Sequence, residues 1–383
     1  MKKIFIISAA LLIVVLFFLG IYNFAFKKNT IVSDTNTVVK STAQPDAAKD
    51  AVVQKAPEKI KAISDQAVLG PVFDKKSETI TYYSVKDGTV WQTDSAGKTK
   101  QQIETTPLEG LKGVLWSPDH QKVLTMFKKG EQVYFYEYDR QGKKGTLLKK
   151  GLDTVVWDNL GAKIFYKYYD ATTKKRSLNT ANFDGSGWQK LSDIDFRDIS
   201  IAPIPSTSIV SYWNAPDALQ ESQLQIVGAI GGQPQTIFRG RSGGDYLWSP
   251  DGTQALVSSL GSKDNKMTTL GLVTVSGEYH DLNIPTLVSK CAWSSDSKIV
   301  YYALPGGIPD GAIMPNDYQN NKFTTDDTFW KVDITTGQKD RVINTEDVSE
   351  KYDLSSPFLS AAGDTLYFIN KINGKLYRIE LQN

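Results

Sequence analysis

A five-residue phrase repeats through this chain and restricts the folds open to it: Trp248-Ser249-Pro250-Asp251-Gly252, echoed at Trp116-Ser117-Pro118-Asp119-His120, Trp293-Ser294-Ser295-Asp296 and Trp157-Asp158-Asn159. Ser at the first place of a type I turn accepts a backbone hydrogen bond, Pro presets φ at the second, and Asp and Gly suit the remaining two. A strand that ends on a large aromatic is thereby turned straight back into another strand.

Taking the residue that ends each such strand as a marker aligns Phe73, Trp116, Trp157, Ile201, Trp248, Trp293 and Leu359, at intervals of 43, 41, 44, 47, 45 and 66 residues. A period in this range is the signature of a repeat architecture. Six to eight residues beyond each marker begins a run that is apolar on both faces, as in Ile80-Thr81-Tyr82-Tyr83, Ile164-Phe165-Tyr166 and Leu366-Tyr367-Phe368-Ile369. Such runs need cover on two sides. A third strand follows in each unit and a weaker fourth precedes the next marker. Four antiparallel strands per ~45 residues, arranged radially, hide both faces of every blade against its neighbours. The expected fold class is all-β: a seven-bladed β-propeller of four-stranded antiparallel blades over 57–383, with six or eight blades as the neighbouring solutions.

Closure of such a ring needs a partner for the last repeat, which ends after three strands. Ile60 stands 13 residues before Phe73, just as Ile103 stands 13 before Trp116. Residues 57–63 are therefore expected to supply the missing outer strand of the blade begun at Leu359.

The phrase at 248–252, its His-ended copy at 116–120 and the period resemble the WD40-like repeats of the TolB-type propeller group, over residues 59–383. The pattern is departed from at Ile201-Ala202-Pro203-Ile204-Pro205 and Leu359-Ser360-Ala361-Ala362-Gly363. The resemblance implies an interaction module outside the cytoplasm. Members of that group carry an additional N-terminal domain with partner contacts; this chain has an apolar segment and a polar stretch in its place, so a role in that particular system does not carry over.

Ile4 to Phe26 runs 23 residues without a charge, between Lys2-Lys3 and Lys27-Lys28. At ~1.5 Å per residue it spans ~34 Å, enough to cross a ~30 Å hydrocarbon core. A cleaved signal peptide would have a shorter apolar region and a small-x-small site, which Leu19-Gly20-Ile21-Tyr22-Asn23-Phe24-Ala25-Phe26 does not offer. The expectation is one N-terminal transmembrane helix within 1–28, with the N-terminus inside. Residues 29–56, rich in Thr, Ala, Ser, Asp and Lys, read as a flexible tether. The propeller is then a monomeric, single-pass protein's extracytoplasmic part, on the outer side of the cytoplasmic membrane.

Little in the chain speaks for chemistry. The formal net charge of +2 gives no whole-molecule field to draw the protein onto nucleic acid. Gly240-Arg241-Ser242-Gly243-Gly244 matches a nucleophile elbow in letters only, because a strand and Trp248 follow where a helix is required. The two histidines, His120 and His280, have no second histidine or cysteine at ligand spacing. Cys291, the single cysteine, reads as a small buried apolar residue. No catalytic, cofactor-binding or metal-ligating residue is expected, and no cofactor.

The interval of 66 residues after Trp293 carries an insertion, 305–328, between the second and third strands of the sixth repeat. Loops of more than ~12–15 residues are uncommon in compact domains unless functional or disordered. Its apolar content, Ile308, Ile313, Met314, Tyr318 and Phe323, argues for an ordered flap. Two readings stand beside each other: a binding flap with Asp310, Asp317, Tyr318, Asp326 and Asp327 as its contacts, or a loop packed over its own blade. The expected function is a membrane-anchored, non-catalytic module that binds a protein or an envelope polymer. The alternative is a polysaccharide-acting propeller enzyme, a lyase or hydrolase, which requires carboxylates or histidines converging at the channel mouth.

Overall fold

The computed structural model describes residues 59–130, 132–261 and 267–381. The expected membrane segment and the tether at 29–56 lie outside these. Among the described residues no helix is long and apolar enough to cross a membrane.

Among the described residues, twenty-seven strands, numbered β1 to β27 in chain order, make up nearly all of the regular structure. They form seven four-stranded antiparallel units, because β1 (Ile60–Asp74) serves twice. Its second half pairs with the following strand, Phe73 opposite Ile80, as the inner strand of the first unit. Its first half pairs with β27 (Lys375–Glu380), Ile60 opposite Ile379 and Ala62 opposite Tyr377, as the outer strand of the last. Between the halves the Ser64 hydroxyl accepts the Leu376 N–H at 2.9 Å. The pairing expected of residues 57–63 with the last unit is therefore present over Ile60–Ala62, while 57 and 58 lie outside the described residues.

The inner strands of the other units are β5 (Leu111–Trp116), β9 (Leu152–Trp157), β13 (Ile199–Pro203), β17 (Asp245–Trp248), β21 (Cys291–Trp293) and β25 (Leu354–Leu359). Every marker read from the period lies at or near the end of one of them. The reason is visible in the turns: the Ser249 hydroxyl donates to Asp251 at 2.5 Å and accepts Gln254 N–H at 3.3 Å, and Gly252 N–H closes the turn on Ser249 O at 2.9 Å. Gly252 has φ +72°, and a Cβ there would stand 2.1 Å from Pro205 O of the preceding unit. His120 and Ser297 hold the same left-handed place at φ 59° and 61°.

Side-chain alternation along the second strands explains why their sequences are apolar on both faces. Ile164 and Tyr166 join a core with Leu124 and Phe135 of the unit before, while Phe165 joins one with Ile199 and Val210 of the unit after. The same division recurs all round, giving seven clusters that each lie between two neighbouring units, including Ile63, Tyr367 and Phe73 between last and first.

The tryptophan markers add a polar tie to these apolar contacts. Each indole N–H donates into the unit before: Trp116 to Gly70 O (2.6 Å), Trp157 to Leu115 O (2.9 Å) and Trp293 to Leu247 O (3.1 Å). Trp248 donates at 2.8 Å to the Ser211 hydroxyl, which passes its own hydrogen on to Ala202 O at 2.7 Å.

Two substitutions measure these contributions. Ile60→Ala, which empties a fully packed site in the closing strand, is expected to cost ~2–5 kcal/mol in urea unfolding. Trp293→Phe, which keeps most of the ring but strands the Leu247 carbonyl, is expected to cost ~1–3 kcal/mol. A midpoint unmoved by Ile60→Ala would show that the ring does not depend on its closing strand.

Candidate functional site

The insertion departs from β22 (Ile299–Leu304) and returns at β23 (Thr328–Asp333). Its neck is a reciprocal backbone pair, Gly306 N–H to Asp326 O at 3.0 Å and Asp326 N–H to Gly306 O at 2.9 Å. Gly306 has no substitute here, since a Cβ would approach that Asp326 oxygen to 2.6 Å. Beyond the neck, Met314 and Tyr318 pack with Leu287 in a small buried core of their own, bordered by Ile308 and Phe323. One helical turn, α1 (Asn316–Gln319), forms the crest.

Polar side chains fasten this flap to three blades. Asn316 bonds the loop of the fourth, accepting Ala218 N–H at 2.8 Å and donating to Asp217 at 3.0 Å. Tyr318 reaches the seventh, its hydroxyl donating to Asp353 at 2.6 Å. There Lys371 donates to Tyr318 O at 3.2 Å and stands 3.7 Å from the centre of the Tyr318 ring. Beneath lies Lys290, fully buried, with four acceptors round its ammonium: Asp327 at 2.6 Å, Asp353 at 2.7 Å, Thr325 at 3.0 Å and Leu354 O at 3.1 Å.

The two carboxylates on Lys290 are not equivalent. Burial works to raise the Asp353 carboxyl, but the ammonium together with the donors from Tyr318 and Thr325 holds it below its ordinary range. Asp327 is pushed up by burial, against the pull of Lys290. Both of its donors, Lys290 and Leu354 N–H, share one oxygen, and the other has no hydrogen-bond partner.

This geometry redistributes the residues proposed as flap contacts. Asp327 and Tyr318 are 2% and 4% exposed and turned inward, so they fasten the flap and offer nothing to an outside partner. Asp317 braces the flap locally, accepting Ile313 N–H at 2.9 Å and pairing with Lys322 at 2.6 Å. Asp310 is exposed, and Asp326 is half exposed with Lys351 at 3.6 Å. Lys290, Asp353 and Lys371 went unnoticed in the sequence, although a lysine directly before Cys291-Ala292-Trp293 is a charge in an otherwise interior run.

Because successive strands are antiparallel, the flap shares its end of the ring with the beginnings of the inner strands. Asp153, Asp198 and Asp245 stand at or next to those beginnings in the third, fourth and fifth blades. The buried Lys167 pairs with Asp153 at 2.8 Å and stands 4.0 Å from Asp198. Asp245 is pushed up to about 6 by burial, although Trp213 Nε1–H and its neighbour's amide donate to it at 3.0 and 3.1 Å.

Elsewhere, Cys291 is buried, its thiol pushed up by burial and donating to Leu287 O at 3.3 Å. Among the described residues no group of three or more His, Cys, Asp or Glu is placed to hold a metal ion.

No family model matches the chain, and no curated protein matches it. Solved structures do. An oligogalacturonate lyase in complex with manganese aligns over 85% of this chain and 93% of its own, at 12% identity and a TM-score of 0.61. An oligogalacturonate lyase from Vibrio parahaemolyticus covers 86% and 95% at 11% identity and 0.62. The β-propeller domain of the Trilobed protease from Pyrococcus furiosus covers 82% and 95% at 11% identity and 0.55. The chain is a β-propeller. The resemblance read from the repeats holds at the level of the β-propeller fold. The Pyrococcus propeller is described as having an open velcro topology, whereas this propeller joins first and last blades through β1.

Two measurements test the electrostatics of the flap end. Lys290→Met strands two buried carboxylates and is expected to cost ~3–5 kcal/mol in urea unfolding, part of it recovered in the Lys290→Met, Asp327→Leu double variant. A carboxyl raised in the folded state binds its proton more tightly there, so Asp245 contributes stability at low pH that is lost as pH rises from the ordinary carboxylate range through about 6. Asp245→Asn keeps both hydrogen bonds and is expected to flatten the fall in Tm over that window.

Proposed function

We propose that this protein is a seven-bladed, non-catalytic binding module, held outside the cytoplasmic membrane by the apolar segment Ile4–Phe26 and the tether 29–56, and that its flap face receives a protein partner. The observation that carries the reading is apolar side chains exposed beside the flap's own fastenings. Leu219 (86% exposed) follows Ala218, which holds Asn316; Ile372 (46%) follows Lys371, which holds Tyr318; and Ile313 (51%) is on the flap itself. Val85 and Met267 occupy the same connection in the first and fifth blades, so exposed apolar residues run along this end through blades four, five, six, seven and one. Scattered single apolar residues are ordinary on a surface, as Leu160 and Ile230 are at the other end, whereas a set flanking one braced feature marks an interaction site. The flap presents its face already ordered, which lowers the entropic cost of association.

The polysaccharide-acting alternative is supported by the likeness to two oligogalacturonate lyases, which is one of fold at 11% and 12% identity. It is also supported by Asp153, Asp198 and Asp245 at the strand beginnings. Against it stand the hydrogen bonds and ion pairs that already occupy Asp153 and Asp245.

Affinity capture from the native envelope with the full-length protein separates the two. Leu219→Asp and Ile313→Asp lie on the surface and are expected to leave stability within ~0.5 kcal/mol while removing a captured protein. Asp245→Asn is expected to leave that protein in place. An unchanged capture profile with both aspartate variants, or depolymerisation of a uronic-acid polymer that Asp245→Asn abolishes, would overturn the binding-module reading.

A further inference from the structure

A second surface feature lies away from the flap, on the flank of the second blade. In that blade β6 (Lys122–Lys129), β7 (Gln132–Asp139) and β8 (Lys144–Leu147) pair so that Phe127 faces Tyr134, Thr125 faces Tyr136, and Leu147 lies across from Tyr136. Alternation puts Tyr134, Tyr136 and Tyr138 on the side turned to the first blade, while Phe135 points the other way into the core shared with the third. The first blade covers only part of that tyrosine face. Its outer strand β4 (Lys100–Glu104) has 5 residues against 8 in β7. The inner part is sealed by Val114 and Val123 in the shared core. Further out, Tyr136 and Leu147 are 38% and 47% exposed. The uncovered part is a groove of about 1310 Å³.

The chemistry of the groove is graded from floor to rim. The floor is aromatic, with Phe127 and Tyr136 edge to face at 5.5 Å between ring centres. Thr105, Thr106 and Tyr134 bring hydroxyls to its walls. Arg140 and Glu104 cancel each other at 3.1 Å, leaving Lys129 and Lys143 against Glu109 on the tyrosine side, since alternation turns Lys128 to the other face.

We propose that this groove binds a segment of anionic oligosaccharide, with Tyr136 and Phe127 stacking on sugar rings and Lys129 and Lys143 pairing with its acidic groups. Sugar rings present flat C–H faces to aromatic floors and hydroxyls to walls of threonine, and an acidic sugar alone also uses the unbalanced cationic rim. The groove exceeds the ~300–1,000 Å³ of ordinary small-molecule sites, which suits several linked units over a single one. An acidic peptide satisfies the lysines but leaves the tyrosine face without a flat partner. The site is independent of the flap face and does not need the protein-binding reading to hold.

The test titrates the full-length protein with a uronic-acid oligosaccharide, its neutral counterpart of equal length and an acidic peptide, following intrinsic fluorescence and calorimetric heat. The uronic-acid chain is expected to bind saturably, weakening as salt is raised. Tyr136→Ala is expected to weaken it about tenfold, and the Lys129→Glu, Lys143→Glu pair to abolish it, with melting temperatures unchanged. Ile313→Asp is expected to leave it as it was. No binding of the uronic-acid chain, binding that survives both groove variants, or equal binding of the neutral chain or the acidic peptide would overturn the proposal.

Discussion

Among the described residues every hydrophobic core of the blades is owned jointly by two of them, and only the flap has one of its own. A four-stranded sheet with both faces apolar has nothing to bury against within itself, so the free energy of burial is gained only between neighbours. Seven such interfaces arranged head to tail have one natural end state, in which the last blade meets the first. The indole donors from Trp116, Trp157, Trp248 and Trp293 make four of these interfaces directional, since each reaches back into the preceding blade. Apolar contact sets how strongly two blades adhere, and these bonds set the register in which they do so.

The flap uses a different physics for the same end. A loop has too little apolar surface to hold itself in place, so its small core of Met314, Tyr318 and Leu287 is supplemented by ions taken out of water. Removing Lys290, Asp327 and Asp353 from solvent is costly, and four acceptors on one ammonium offset that cost only in a single arrangement. A fastening of this kind tolerates little slack, and it gives the exposed Ile313 and its neighbours a defined place.

Much of this was legible in the residues, and the parts that were not share a cause. The period, the strand ends and the closing pairing of Ile60 follow from local signals: turn chemistry, alternation and spacing. Which carboxylates of the insertion face outward does not. Asp310 and Asp327 look alike in the chain, and only contact with Lys290 and Leu354, 37 and 27 residues away, makes one of them interior. The aspartates Asp153, Asp198 and Asp245 escaped notice for a smaller reason, because each stands just outside the apolar run by which an inner strand is identified. Of the tyrosines of β7, Tyr138 packs in the core shared with the first blade while Tyr136 is left 38% exposed, a difference that alternation along one strand does not reveal.

One strand, β1, belongs to two blades, and this orders events in time. During synthesis Ile60 to Ala62 emerge first, yet their partners at 377–379 come more than three hundred residues later. Until then the second half of the strand can be in place while the first half presents open backbone groups and the side chains of Ile60 and Ile63 to whatever is nearby. The nascent chain thus carries an unpaired edge for almost the whole of its own translation, the kind of edge that joins two copies as readily as it joins two ends. Closure from within is a race against exchange between molecules, and dilution, slow synthesis rates per cell or a holding chaperone would decide it in favour of the monomer.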